Sequence, residues 1–552
     1  MIKRTATWLA VAFGAAFIVA TQVPHAWAVY AQSRGYAAGK VYTGVLPTSA
    51  EDALSYYGWM RQGQEGEYAF ADRFTVEEHR KLYVNVFYGP LGWIAGVTGA
   101  SIPAVYAAAR VAAAAALLAA LWWFAGLCFE RRGARLACFA MAAVSGGWEG
   151  PYNWFVRNRG WEPVSSPGWW TPEISTFFST MTIPHFDAAF ALQVLAVGFM
   201  VVAWRSGAAA TRFAAASGAT LLGLVFFHPY EVVTCAAVFG LYPLLAAAVE
   251  RRAPWRDLRM SAIPMAIVAP AILWNAWLFS RNPAFRAMDE QAVMTTPELS
   301  KLALALGASG LLAVGALFGV RRMTPAQRVA AAWLVGSLFA AHLPFRFQRR
   351  LLGGIQLPIA VLAAFVLATW VVPWLASRMA GRARVAAALL VLVMVPLHAA
   401  TPYYLRDIEW RQVRRFGHPT WIAVPDRDLL SELDRRTGPD DAVLASHALG
   451  MLVPGLAGVH TFVGHYSLTI DSEAKSRDVA RFFGADTDDA WRRDLVARWG
   501  LDYVLWTSHE RALGAFDPAS VPWLEEVARF GESDGLAVLY RVAFAASTSP
   551  SP

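Results

Sequence analysis

Arg131-Arg132-Gly133-Ala134-Arg135 lies between two apolar runs, near 102–129 and 134–148, and that placement decides the fold class. Arginines clustered between hydrophobic segments of spanning length mark a cytoplasmic turn, because arginine is retained on the inner side of a bilayer. The same sign recurs at Arg205 with Arg212, Arg251-Arg252 with Arg256 and Arg259, Arg321-Arg322 with Arg328, and Arg378 with Arg382 and Arg384, in every second connection. Further apolar runs lie near 184–203, 213–227, 232–249, 260–279, 299–320, 329–343, 351–375 and 384–400. With Met1-Ile2-Lys3-Arg4 and the run through Ala20, the pattern predicts about eleven spans, each near the ~20 residues that cross ~30 Å of hydrocarbon. The first run reads as a retained anchor, with Ala26-Trp27-Ala28 offering the alternative of a cleaved leader. Topology then places the amino end in the cytoplasm and the carboxyl end outside a plasma (inner) membrane.

Composition agrees with a bilayer setting. Of 552 residues 57% are hydrophobic and only 16% charged, and the mean hydropathy is +0.38, too apolar for a soluble chain of this size. The net charge of +8 does not indicate nucleic acid, because the basic residues are dispersed in short clusters between apolar runs. Cys128, Cys138 and Cys235 all fall in or beside apolar segments, so no disulfide framework is indicated.

Two domains are expected. Residues 1–400 form the membrane domain, with a first outer loop at 30–101, and residues 401–552 form an outer domain of another character. There the apolar runs shorten to strand length at 442–445, 460–463, 503–506 and 536–540, with helical patterns at 473–483 and 488–499. Strands alternating with helices predict a small α/β domain on a largely parallel sheet. Ser547–Pro552 should fray.

The outer connections carry the candidate chemistry. Thr48-Ser49-Ala50-Glu51-Asp52 precedes an aromatic helix holding Tyr56. A carboxylate just outside the membrane can serve as general base toward an acceptor hydroxyl; Thr48 or Ser49 with Glu51 or Asp52 also fits a capping box. Departure of a phosphate would need positive charge. His342-Leu343-Pro344-Phe345-Arg346-Phe347-Gln348-Arg349-Arg350 supplies it on an outer connection, against the topology rule. Snorkelling arginines paired with lipid headgroups or loop carboxylates are the other explanation. Glu173 leads through a polar, aromatic run to His185 and Asp187 in the first turn of a span, ionisable groups at a depth where they mark function, and His228-Pro229-Tyr230-Glu231 opens another span; an Asp187 cap with His185 facing water, and an ordinary helix start at Pro229 and Glu231, account for the same positions. Trp148, Trp154, Trp161, Trp169 and Trp170 read as an interfacial belt, the alternative being a sugar-stacking platform.

Taken together, the acid pair ahead of an aromatic helix, the Glu173 to Pro184-His185-Phe186 stretch, His228-Pro229-Tyr230-Glu231, the arginine-rich 346–356 approach to a late span and the α/β tail resemble the GT-C superfamily of integral-membrane glycosyltransferases. They are most similar to its bacterial polyprenyl-phosphate-sugar-dependent members. The resemblance covers the layout of most of residues 1–400. It implies Asp52, with Glu51 as neighbouring candidate, as the catalytic base, and Arg346, Arg349, Arg350, His342 and His185 as donor-phosphate contacts. Glu173, Asp187, His228, Glu231 and Tyr56 would bind substrate, with Gly464-His465-Tyr466 as an acceptor contact. The implied partners are a polyprenyl-phosphate-linked sugar, a lipid, glycan or protein acceptor, and membrane lipids. No cofactor is implied, and no paired-acid signature of a metal-dependent oligosaccharyltransferase is present. Asp52 and the arginines at 346–350 are expected to line one cavity. A transporter or flippase of lipid-linked sugars is the rival reading, but it calls for broken helices near midplane and ionisable residues on both faces; a non-catalytic envelope assembly protein is a third.

Overall fold

The computed structural model describes residues 2–164, 167–169, 171–379 and 381–543; Trp170, the side chain of Trp169 and the segment Ser547–Pro552 lie outside the described residues. All eleven apolar runs are helical, as hydrocarbon requires of a segment that must satisfy its own backbone. Among the described residues eight helices are long and apolar enough to cross a membrane: Ala6–Ser33, Ile102–Cys128, Pro184–Arg205, Tyr230–Glu250, Trp255–Arg281, Leu299–Arg322, Gln348–Arg378 and Ala383–Val413. The other three, Arg132–Val144, Ala210–Val225 and Pro325–Ala340, have only 13, 16 and 16 residues. Local chemistry explains their ends. Ser145 leaves the first at φ 38° ahead of two glycines, and Pro229 and Pro344 follow the other two. The first helix continues unbroken through Ala26-Trp27-Ala28 to Ser33. Helix Leu299–Ala316 is interrupted at Gly307 (φ 55°, ψ −146°), and the Trp148 N–H donates to the Leu304 carbonyl at 2.9 Å, satisfying a group the interruption would strand.

The chain forms two compact units. The first comprises Met1–Pro24, Ala108–Trp274 and Val293–Arg411; the second comprises His25–Ala107, Asn275–Ala292 and Gln412–Pro552. The second unit therefore takes in the first outer loop as well as the tail. In it Lys40–Tyr42 (β1) pairs antiparallel with Trp421–Ala423 (β2). Ala442–Leu444 (β3), His460–Thr461 (β4), Tyr503–Trp506 (β5), Leu524–Phe530 (β6) and Ala537–Val542 (β7) make a sheet of order β4-β3-β5-β7-β6. Strand β3 runs parallel to β4 and β5, whereas β7 is antiparallel to β5 and β6. The sheet is thus mixed rather than largely parallel, because β6 and β7 form a terminal hairpin. The strand alternation sorts its core. Leu444, Val504 and Val538 pack with Phe482, Phe483, Leu495 and Val496 of helices Ser472–Phe483 and Asp489–Trp499. Their neighbours Val443, Leu505 and Leu539 share the opposite core with Leu429, Leu430 and Leu433 of helix Val424–Arg436.

Helix Ala50–Gln64, which carries the acid pair, is seated by glycines. A Cβ at Gly92 would lie 2.0 Å from the Met60 carbonyl oxygen, one at Gly63 would lie 2.4 Å from the Gly89 carbonyl oxygen, and one at Gly455 would lie 2.7 Å from Tyr57 Cβ. Helix Tyr88–Thr98 therefore meets it backbone to backbone.

Candidate active site

Pro47–Ser49 forms a 3-10 turn ahead of helix Ala50–Gln64, with Ser49 at the N-cap but without a side-chain capping bond. The capping box that the sequence allowed is not built. Glu51 and Asp52 remain in the first turn, where the helix dipole favours their charge, and each meets a histidine from the tail. His465 Nε2 lies 3.3 Å from Asp52 Oδ1, and His447 Nε2 lies 3.3 Å from Glu51 Oε1.

The two pairs differ in how the imidazole is held. Ser467 presents its backbone N–H to His465 Nδ1 at 3.3 Å and its hydroxyl to the same nitrogen at 3.1 Å. A backbone N–H can only donate, so Nδ1 is the accepting nitrogen, and a neutral His465 carries its proton on Nε2 and donates to Asp52. His465 is buried with its ring at the edge of Phe74, while the Asp52 side chain is 48% exposed. Asp52 is therefore anchored at Oδ1 and still reachable from water. At the other pair the hydrogen bond to Glu51, aided by its charge and by the Gly464 backbone, raises His447 above the ordinary histidine value despite partial burial. The same bond holds Glu51 below its ordinary value against the cost of burial. The pairing thus favours the charged form of Glu51. Tyr56 stacks on Tyr88 with ring centroids 4.6 Å apart.

In the first unit a second cluster gathers most of the remaining candidates. Glu173 is buried, with Arg350 Nη1 at 2.8 Å and Arg349 Nε at 3.6 Å from Oε1. Burial pushes the Glu173 carboxyl up, but Arg350 and Arg349 outweigh it and hold it below the ordinary range. The Gln356 amide donates to the Glu173 carbonyl at 2.9 Å, fixing the loop on the last buried span. Arg350 also lies over the rings of Phe186 and Tyr230, at 5.1 and 5.9 Å. His185 stacks against Phe186 and stands 5.2 Å from His228, ring to ring. His228 hydrogen-bonds Glu231 through Nδ1; burial first, then the Arg350 charge, depress its imidazole to about 3, so it is neutral. Asp187 accepts from the Ser179 hydroxyl at 2.6 Å.

Two guanidinium groups on one carboxylate leave a unit of positive charge in a buried setting, suited to an anion. Beside it, His228 Nε2, Glu231 Oε1 and Gln193 Oε1 are buried without a hydrogen-bond partner; the two oxygens are acceptors and call for a donor group such as a hydroxyl rather than for an anion. Gly353 and Gly354 make room there: a Cβ on Gly354, itself at φ 73°, would lie 2.2 Å from Gln193 Oε1, and one on Gly353 would lie 2.6 Å from Glu231 Oε1. The arginine run divides. Arg349 and Arg350 are in the cluster, whereas Arg346 is exposed, with its carbonyl accepting from the Met294 N–H at 2.7 Å. His342 is exposed and turned to the Leu338 carbonyl of its own helix at 2.7 Å. Among the described residues no group of three His, Cys, Asp or Glu is placed to hold a metal ion, and no step is derived through one.

His447 and Gln193 escape a reading of the sequence. Neither sits in a motif, and His447 meets Glu51 across a separation of 396 residues. The histidine of Gly464-His465-Tyr466 was visible only as an acceptor contact; its hold on Asp52 has no local signal.

No protein-family profile matches the chain, and no curated protein matches its sequence. Solved structures do. The oligosaccharyltransferase AglB from Archaeoglobus fulgidus, in complex with an inhibitory peptide and a dolichol-phosphate, matches over 99% of this chain and 75% of its own at 11% identity, with a TM-score of 0.53. ArnT from Cupriavidus metallidurans bound to undecaprenyl phosphate matches over 99% of both chains at 14% identity and a TM-score of 0.53. The arabinofuranosyltransferase AftD from Mycobacteria matches over 98% of this chain and 40% of its own at 15% identity and a TM-score of 0.52. The chain shares the fold of these three solved structures, with several long apolar helices and a small sheet in its carboxyl-terminal part, as the sequence resemblance implied.

Proposed function

We propose that this protein is a glycosyltransferase that moves a sugar from a polyprenyl-phosphate carrier to a lipid, glycan or protein acceptor on the outer face of the plasma membrane. The observation that carries the reading is the unequal treatment of two adjacent carboxylates. Glu51 is tied to a histidine that favours its charged form, while Asp52 meets at Oδ1 the buried His465, whose other ring nitrogen is occupied by Ser467. Asp52 is the better base of the two, and it would take the proton of the acceptor hydroxyl as that oxygen attacks the anomeric carbon. The carrier phosphate leaves with the electron pair of the broken bond, and direct displacement inverts the anomeric centre. Arg349 and Arg350 would stabilise the departing phosphate, with Glu173 keeping both guanidinium groups aimed. His465 is a positioning residue in this scheme. Arg346 and His342, both exposed on the same connection, would be the outer donor-phosphate contacts. AglB and ArnT, bound to polyprenyl phosphates, support the donor class by likeness of fold alone.

The test is transfer measured in membranes supplied with a polyprenyl-phosphate sugar. Asp52→Asn should lower turnover about 10³-fold while leaving donor affinity intact, and Arg350→Gln should weaken donor affinity. Wild-type turnover by Asp52→Asn would remove the assigned base.

A further inference from the structure

A cleft of about 680 Å³ opens in the first unit between helix Glu149–Arg157 and the carboxyl-terminal half of helix Ala383–Val413. It is used by neither carboxylate cluster. Its walls are two helical stripes in register, Gly150, Trp154 and Arg157 on one side and Tyr403, Asp407 and Arg411 on the other, each spaced at three to four residues as a single helix face demands. One end is closed by contact of backbones. A Cβ on Gly150 would lie 2.7 Å from Thr401 Cα, and the Gly150 N–H donates to the Thr401 hydroxyl at 3.0 Å. From that seam the helices part, and the lining passes from small apolar residues to aromatic rings and then to charge.

The charged end is unbalanced. Arg411 pairs with Asp407 at 2.7 Å, whereas Arg157 lies over the Tyr404 ring at 5.7 Å, so the mouth carries two guanidinium groups and one lining carboxylate. Trp154 and Tyr403 are 65% and 63% exposed beside them. Helix Glu149–Arg157 also exposes Tyr152 and Phe155, and Trp161 follows it, the composition of a helix lying at a membrane surface. Volume, aromatic walls and a cationic mouth fit a ligand with an anionic head and an apolar body.

We propose that this cleft binds the phosphate headgroup of an amphiphile, the phosphate between Arg157 and Arg411 and the apolar portion against Trp154, Tyr403 and the Gly150 seam. The proposal does not depend on the transferase reading, since a lipid site here would stand beside any activity of the acid pair.

The experiment uses the full chain purified in detergent and a photoreactive farnesyl phosphate, with labelled peptides identified by mass spectrometry. Label should fall on peptides covering 150–158 and 400–411, and should drop at least about tenfold in Arg157→Gln/Arg411→Gln. Trp154→Ala, which keeps both charges, should reduce it about threefold and guards against misfolding of the double variant. Competition by excess short-chain phosphatidylglycerol equal to that by farnesyl phosphate would support the site and identify bulk lipid as its source, and weaker competition would support a polyprenyl phosphate. Inorganic phosphate competing as well as either amphiphile would overturn the proposal, as would labelling confined to other peptides or unchanged in the double variant.

Discussion

The Glu173 cluster and the Glu51–Asp52 pair both set carboxylates against cationic or cationisable partners, and they do opposite things with them. Glu173 is fully enclosed and held by two permanently charged guanidinium groups at 2.8 and 3.6 Å. Asp52 and Glu51 are half-exposed and meet imidazoles, each at 3.3 Å. Burial makes the first arrangement costly to disturb, because a charge left unpaired in a low dielectric cannot relax into water. Exposure makes the second cheap to disturb and available to a substrate. The lesson is that charge density alone does not locate chemistry: the more strongly coupled cluster is the one whose loss should damage the fold, and the looser one is where a proton can move.

Substitutions can break that contrast. The largest effect is expected from Asp52→Asn, a loss of about 10³-fold in turnover, or ~4 kcal/mol in the barrier, with unfolding in detergent unchanged within ~0.5 kcal/mol. A drop in stability instead would show that the acid pair is architectural. Next is Glu173→Gln, which strands Arg349 and Arg350 in a buried site and should cost ~3 kcal/mol in thermal unfolding; a neutral result would mean that water reaches the cluster. Smaller again, His465→Ala should slow turnover about tenfold with donor KM unchanged, and His465→Gln should recover most of it, because an amide N–H can replace the Nε2–H on Asp52. If glutamine fails to rescue, the imidazole does more than hold the carboxylate. The smallest effect belongs to Glu51→Gln, below ~0.5 kcal/mol for so exposed a pair. Its pH dependence has a definite sign. The raised His447 contributes fully below the ordinary histidine value of 6.5 and fades as pH rises through its folded value. The lowered Glu51 contributes above the ordinary glutamate value of 4.5 and fades as pH falls through its folded value. The stability difference between wild type and Glu51→Gln should therefore peak between those two values and shrink on either side.

Much of the membrane part was legible because hydropathy and arginine placement are local signals, and every apolar run is indeed a helix. Span length was less so: Arg132–Val144 stops at Ser145, whose left-handed backbone no hydropathy window registers. In the tail, Leu524–Phe530 was missed because Leu524, Val527 and Ala528 have helical spacing; as an outermost strand with a single buried residue, it lacks the alternation that marks a strand. The candidate site was legible in its residue types and not in its pairings. The arginines at 346–350 announced themselves as misplaced charge, and the choice between a loop carboxylate and a ligand as their partner rested on tertiary contact. Asp52 and Glu51 looked equivalent until His465 and His447 arrived from the far end of the chain.

The glycines beneath helix Ala50–Gln64 carry a consequence for anyone reading variants of this protein. With no side chain between the Met60 carbonyl and Gly92, the elevation of the Asp52 carboxylate is set by main chain that cannot be compressed, so one added methyl group at Gly92 would lift the whole helix. A library selected for activity should then find Gly63 and Gly92 as intolerant as Asp52 itself. Residues with no functional group would be scored among the essential ones.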